Sequence, residues 1–126
     1  MNTLSIQALK DPEMEKPMII STVRMKIPPQ KRGEALKILR QMAEQCRDDL
    51  GCLSCHIYED LQEKNVLKLE GVWRTDEKLD LHIRSGEYRN LLLVMEMALK
   101  QPEIRFDTIA HSTGIETIEK ARIHAR

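Results

Sequence analysis

The chain has 126 residues, enough for one domain that buries roughly two thirds of its unfolded surface, and no second core is expected. Lys and Arg total 20 and so do Asp and Glu, which leaves no net positive field to gather phosphates; nucleic acid is therefore excluded as an expected partner. The longest apolar run, Leu91 to Met95, falls far short of the roughly 20 residues that span a bilayer, and no secretory leader is legible, so the expectation is a cytoplasmic protein without a membrane partner.

Residues 1–17 are polar, contain two prolines, and read as an N-terminal arm outside the core, with Leu4, Ile6 and Leu9 as its only apolar pattern. Met18 to Ile27 alternates as a first strand that places Ile19, Val23, Met25 and Ile27 on one face, and Pro28-Pro29 ends it because proline cannot extend a ladder. A helix follows from about Gln30. Ala35, Leu39, Met42, Cys46 and Leu50 step by three and four along its buried stripe, and Gly51 is expected to stop it as a C-terminal cap.

Cys52 to Leu61 alternates as a second strand, with Leu53, Cys55 and Ile57 opposite Ser54, His56 and Tyr58. The Cys-x-x-Cys spacing of Cys52 and Cys55 invites a metal or redox reading. On a regular strand, however, residues three apart point to opposite faces and lie roughly 10 Å apart, so neither a shared metal nor a disulfide is expected, and all three cysteines, Cys46 included, read as structural thiols. His111 and His124 lack partners at ligand spacing, and no metal is expected.

A polar turn, Gln62 to Asn65, returns the chain as a hairpin into a third strand, where Leu67, Leu69, Gly71 and Trp73 share one face. Thr75 then offers its side-chain oxygen to the free amides of a helix start, and Asp76 and Glu77 put negative charge in the positive first turn. Leu79, His82, Ile83 and Gly86 recur at helical spacing, which turns the His82 imidazole towards the sheet. Ser85-Gly86 weakens that helix, and Ser85 can cap a continuation carrying Tyr88, Leu91, Leu92, Met95 and Leu99; a kink there frames a pocket mouth. Gln101-Pro102 breaks the pattern before a fourth strand around Ile104 to Ala110, and residues 113–126 form a tail or short amphipathic helix.

Strand, helix, strand, strand, helix, strand is the order of an α+β, ferredoxin-like βαββαβ sandwich with one antiparallel four-stranded sheet, expected over residues 18–112. Each strand carries apolar residues on both sides. The face away from the helices is therefore expected to need cover, and a homodimer, or a higher even oligomer, is the expected partner state.

Three stretches resemble the antibiotic biosynthesis monooxygenase domain, a dimeric α+β barrel: Gly51-Cys52-Leu53-Ser54 with Tyr58, Gly71-Val72-Trp73, and Leu79 to Ser85 followed by Tyr88. The resemblance implies a ligand between helices and sheet. Trp73 becomes a substrate-binding wall with one donor, Tyr88 a substrate-binding phenol, and His82 the catalytic base or orienting group. It implies a monooxygenase that uses no cofactor on a small apolar or aromatic molecule, phenolic or quinol-like, whose deprotonated form passes an electron to dioxygen. The alternative in the same fold is a non-catalytic dimer that binds a small molecule or a protein. With four aromatics in the whole chain, a stacking platform for haem is hard to build.

Overall fold

The computed structural model describes residues 17–124, so the expected arm at residues 1–17 lies almost wholly outside the described residues. Its elements are β1 (Ile19–Lys26), a short 3-10 turn (Pro29–Lys31), α1 (Arg32–Arg47), β2 (Cys52–Glu59), β3 (Val66–Trp73), α2 (Asp76–Arg84), α3 (Tyr88–Glu96), β4 (Glu103–Thr108) and α4 (Ile115–Ile123). The four strands form one antiparallel sheet in the order β2-β3-β1-β4, and the fold is the α+β, ferredoxin-like arrangement.

Register explains which side chains meet. Ile19, Val23 and Met25 of β1 pair with Trp73, Leu69 and Leu67 of β3, so two apolar rows lie side by side on the face under the helices. All six are buried, and α1 closes over them with Ala35, Leu39, Met42, Ala43 and Cys46. The hairpin between β2 and β3 turns on Asn65, whose φ of 65° is a left-handed conformation that asparagine tolerates. Asp60 fastens the same turn by accepting from the amides of Gln62 at 2.8 Å and Glu63 at 3.0 Å.

Four expectations need correction. The first helix ends at Arg47, not at Leu50, because Asp48 and Asp49 are unfavourable at the negative end of a helix, and the Asp49 carboxylate instead accepts from the Gly51 amide at 2.8 Å. Leu50 is consequently 87% exposed. Gly51 does not adopt the left-handed cap conformation; a Cβ there would lie 2.6 Å from that of Lys78, so the glycine serves a close approach between loop and α2.

The third concerns β2, which carries a bulge: Cys52 pairs with Trp73 but Ser54 pairs with the adjacent Val72, leaving Leu53 as the extra residue. The inserted residue reverses the alternation, and Cys52 and Cys55 therefore share the helix-facing side. The fourth concerns the opposite face. Its central rows are Thr22, Arg24 and Lys26 beside Glu70, Lys68 and Val66, flanked by His56 and Tyr58, with Ile20 and Val72 as neighbouring apolar residues. Arg24 anchors this face through Asp60 at 3.0 Å and Glu63 at 2.8 Å. A sheet with two apolar faces is thus not what the chain builds.

Candidate functional site

Each predicted site residue is positioned by a local device already legible in its neighbours. Trp73 ends β3 on the helix-facing side and is 1% exposed. Directly after it Thr75 caps α2, its hydroxyl oxygen accepting from the Lys78 amide at 3.2 Å. That start sets the phase of α2, which presents Leu79 and His82 towards the sheet.

The helix then stops at Ser85, whose backbone becomes extended. The Ser85 hydroxyl donates to the His82 carbonyl at 2.6 Å and accepts from the Tyr88 amide at 3.4 Å. One serine therefore closes α2 and opens α3, and the chain breaks rather than bends between them. The later apolar stripe differs in detail: α3 buries Leu91 and Val94, while Leu99 lies beyond its end and is exposed.

These devices bring the three residues together. The His82 ring stacks on Trp73 with centroids 4.5 Å apart and planes inclined by 29°, and Tyr88 meets His82 edge-on at 5.4 Å and 90°. All three line one small cavity of about 20 Å³, completed by Ser21, Gly71, Phe106 and the cysteines Cys46 and Cys55. A space of that size holds about one water-sized molecule.

The indole nitrogen carries the most informative property of the site. Trp73 Nε1 is fully buried and, among the described residues, has no hydrogen-bond partner. An unsatisfied buried donor costs about 1–3 kcal/mol, so native structures rarely keep one without reason. It sits where Gly71 lacks a side chain: a Cβ at that position would come within 3.0 Å of both Trp73 Nε1 and Ser21 Oγ. The absence of a side chain at Gly71 thus leaves room for the indole nitrogen beside the small cavity, where an entering acceptor would meet a buried donor.

Electrostatics suit a base. Burial lowers the His82 pKa from its ordinary 6.5, against the opposing pull of Asp49 and Glu87, so the imidazole is neutral at pH 7 and one ring nitrogen can accept a proton. Burial pushes the Tyr88 phenol above its usual range, which keeps it a hydrogen-bond donor.

Sequence reasoning missed Ser21, Gly71, Phe106 and the cysteines as members of this site. Phe106 and Ser21 occupy helix-facing positions readable from alternation, but their approach to Trp73 depends on cross-strand register, and Cys55 joins through the bulge. A wider cleft of about 440 Å³ lies elsewhere, between α1 and β2, bounded by Arg32, Arg40, Arg47 and Tyr58. It excludes Trp73, His82 and Tyr88. Among the described residues, no helix is long and apolar enough to cross a membrane.

Known proteins resemble this chain in sequence or in fold. An uncharacterised protein of Synechocystis sp. is 28% identical over 95 residues, which are 75% of this chain and 65% of that protein, so the chain spans just under two thirds of the curated relative's length. A conserved protein from Methanosarcina mazei Go1 superimposes with a TM-score of 0.68 at 24% identity, over 73% of this chain and 92% of that one. A crystal structure of an antibiotic biosynthesis monooxygenase superimposes at 0.66 with 16% identity, over 74% and 99%. At such identities the two structures establish the fold alone. The sequence model of the antibiotic biosynthesis monooxygenase family matches residues 18–92, a span that begins just ahead of β1 and contains Trp73, His82 and Tyr88; the chain belongs to that family.

Proposed function

We propose that the protein is a cofactor-independent monooxygenase acting on a small phenolic or quinol-like molecule, as a homodimer whose domain comprises residues 18–112. The unpartnered Nε1 of Trp73 carries this reading. A phenol or hydroquinone oxygen is an acceptor that this donor can hold, and the acceptor strengthens as it loses its proton. The hydrogen bond is then worth more to the phenolate than to the phenol, which is the differential binding that catalysis requires.

Neutral His82, stacked on the same indole, is the base that removes the proton. The electron-rich ring so formed can transfer an electron to dioxygen, and the apolar lining of Val23, Met42 and Leu91 keeps water from quenching the radical pair. Tyr88 approaches from the break between α2 and α3 and donates to the substrate's second oxygen. A cavity of about 20 Å³ is too small for an aromatic ring, so substrate entry requires Tyr88 and the Ser85-Gly86 break to swing outward.

The cavity's small volume is also the observation that favours the second reading, a non-catalytic binding domain of the same fold. Oxygen uptake by the wild-type chain and by His82→Ala, over a panel of dihydroxyaromatics, separates the two. Uptake that depends on His82 supports the oxygenase. Equal, background-level uptake together with saturable binding of a panel member under anaerobic conditions supports the binding domain.

A further inference from the structure

The bulge in β2 turns Cys52 and Cys55, which a regular strand would point to opposite faces, towards the helix that carries Cys46. Cys46 on α1 and Cys55 on β2 are both buried and line the same small cavity, and all three cysteines are unbridged. Among the described residues no set of three or more His, Cys, Asp and Glu side chains is arranged to hold a metal ion.

Their surroundings are unequal. Cys55 lines both the small cavity beside Trp73 and the wide cleft along α1, and is the one described residue common to the two. Cys46 lines the small cavity only, and Cys52 lines neither. Cys55, 5% exposed, is the thiol that borders the open cleft, and Cys46, 4% exposed, borders the cavity behind it, whereas the half-buried Cys52 borders neither.

We propose that Cys55 and Cys46 form a peroxide-reactive dithiol in which Cys55 is the attacking sulfur and Cys46 the resolving one. The Cys55 thiolate attacks one oxygen of hydrogen peroxide; the O–O bond breaks, Cys55 becomes a sulfenic acid, and hydroxide leaves and takes up a proton. The Cys46 thiol then attacks the Cys55 sulfur, the S–S bond forms, and the sulfenic oxygen departs as water with the Cys46 proton. Two thiols lose two electrons and one peroxide is reduced to two waters.

Protonation follows the same order. The Cys46 contact stabilises the Cys55 thiolate, Arg47 adds to this, and together they outweigh burial, so the Cys55 pKa lies below the ordinary thiol value. Cys46 is drawn down by Cys52 but pushed up further by Cys55 and by burial, to about 12, and Cys52 is raised by Cys46 and by burial. The most ionised thiol is the one the cleft reaches.

The test exposes the reduced full-length chain to equimolar hydrogen peroxide, quenches with an alkylating reagent, and maps the products by intact mass and fragment ions. The expected product has lost two hydrogens, carries a Cys46–Cys55 bridge within one chain, and is alkylated at Cys52. Cys52→Ser should behave as the wild type. Cys46→Ser should stop at a Cys55 sulfenic acid that a cyclic dione traps, and Cys55→Ser should slow thiol loss by about tenfold or more. A bridge that includes Cys52, a bridge between chains, unchanged kinetics in Cys55→Ser, or a wild-type chain that keeps all three thiols would each overturn the proposal. Should a serine variant fail to fold, mapping of the wild-type chain decides alone.

Discussion

The His82 imidazole lies stacked on the Trp73 indole at 4.5 Å, and the indole N–H beside it is buried without an acceptor. A neutral base and an unsatisfied donor thus share one wall of a cavity. Stacking holds the imidazole by its face and leaves its edge for proton transfer, which is the arrangement the proposed oxygenation needs.

Trp73→Phe removes the donor and keeps most of the apolar bulk. Because Nε1 has no partner to lose, stability should fall by no more than about 1–2 kcal/mol, whereas Trp73→Ala should cost about 3–5 kcal/mol. On the proposed reaction, Trp73→Phe should lower oxygen uptake by about a hundredfold, the range seen when one donor to a developing anion is removed. Urea denaturation and an oxygen electrode measure the two effects separately.

His82→Gln should lower the rate by about 10²–10⁴, the contribution of a positioned base. The wild-type rate should fall with acid along a limb whose midpoint lies below 6.5, since burial depresses the pKa. The linked stability effect has a definite sign. Between the folded pKa and the unfolded value of 6.5 the unfolded chain binds more protons, so stability rises with pH through that window and the destabilisation is complete below the folded pKa. Thermal melts from pH 5 to 8 should show that slope in the wild type and a shallower one in His82→Gln.

Gly71→Ala tests the room that the glycine leaves beside the indole. Its Cβ would stand 3.0 Å from Trp73 Nε1 and from Ser21 Oγ, closer than nearly all real Cβ contacts, so one of them must move. Expected results are a loss of about 1–2 kcal/mol from overpacking and the disappearance of ligand binding, read by denaturation and by calorimetric titration with a dihydroxyaromatic. Binding that survives at wild-type affinity would place the ligand elsewhere.

Thr75→Ala removes the cap of α2. The lost hydrogen bond to the Lys78 amide should destabilise the chain by about 1 kcal/mol, and Thr75→Ser should restore it. Hydrogen exchange should quicken in the first turn of α2, with His82 protection following if the cap sets its phase.

The proposed homodimer is tested at β4. Ile104 and Phe106 lie on the helix-facing side of that strand yet remain 47% and 48% exposed, because the helices do not extend over it. Burial of this pair against a second chain is the contact we expect. Sedimentation should show a dimer for the wild type and dissociation by Phe106→Asp at micromolar concentrations; a wild-type chain that sediments as a monomer rejects the assembly.

Local chemistry alone determined much of this molecule. Period-two alternation marked Ile19 to Ile27 and Leu67 to Trp73, and Thr75 announced α2, because strand pleat and helix capping act over a few residues. The grouping of Trp73, His82 and Tyr88 came from the family resemblance; the local signals of the Thr75 cap and the Ser85-Gly86 break gave only the inward turn of His82 and the place of Tyr88 beyond the break. Leu50 misled the reading because periodicity says nothing of the helix-end charges that halted α1 one residue before Asp48. Only the tertiary structure decided that Leu53 is an extra residue in β2, since a bulge is defined by the partner strand; the shared face of Cys52 and Cys55 is its consequence. The orphaned indole N–H is likewise invisible in a sequence, because whether a buried donor is satisfied depends on which strands lie beside it and on what Gly71, one register step away, leaves empty.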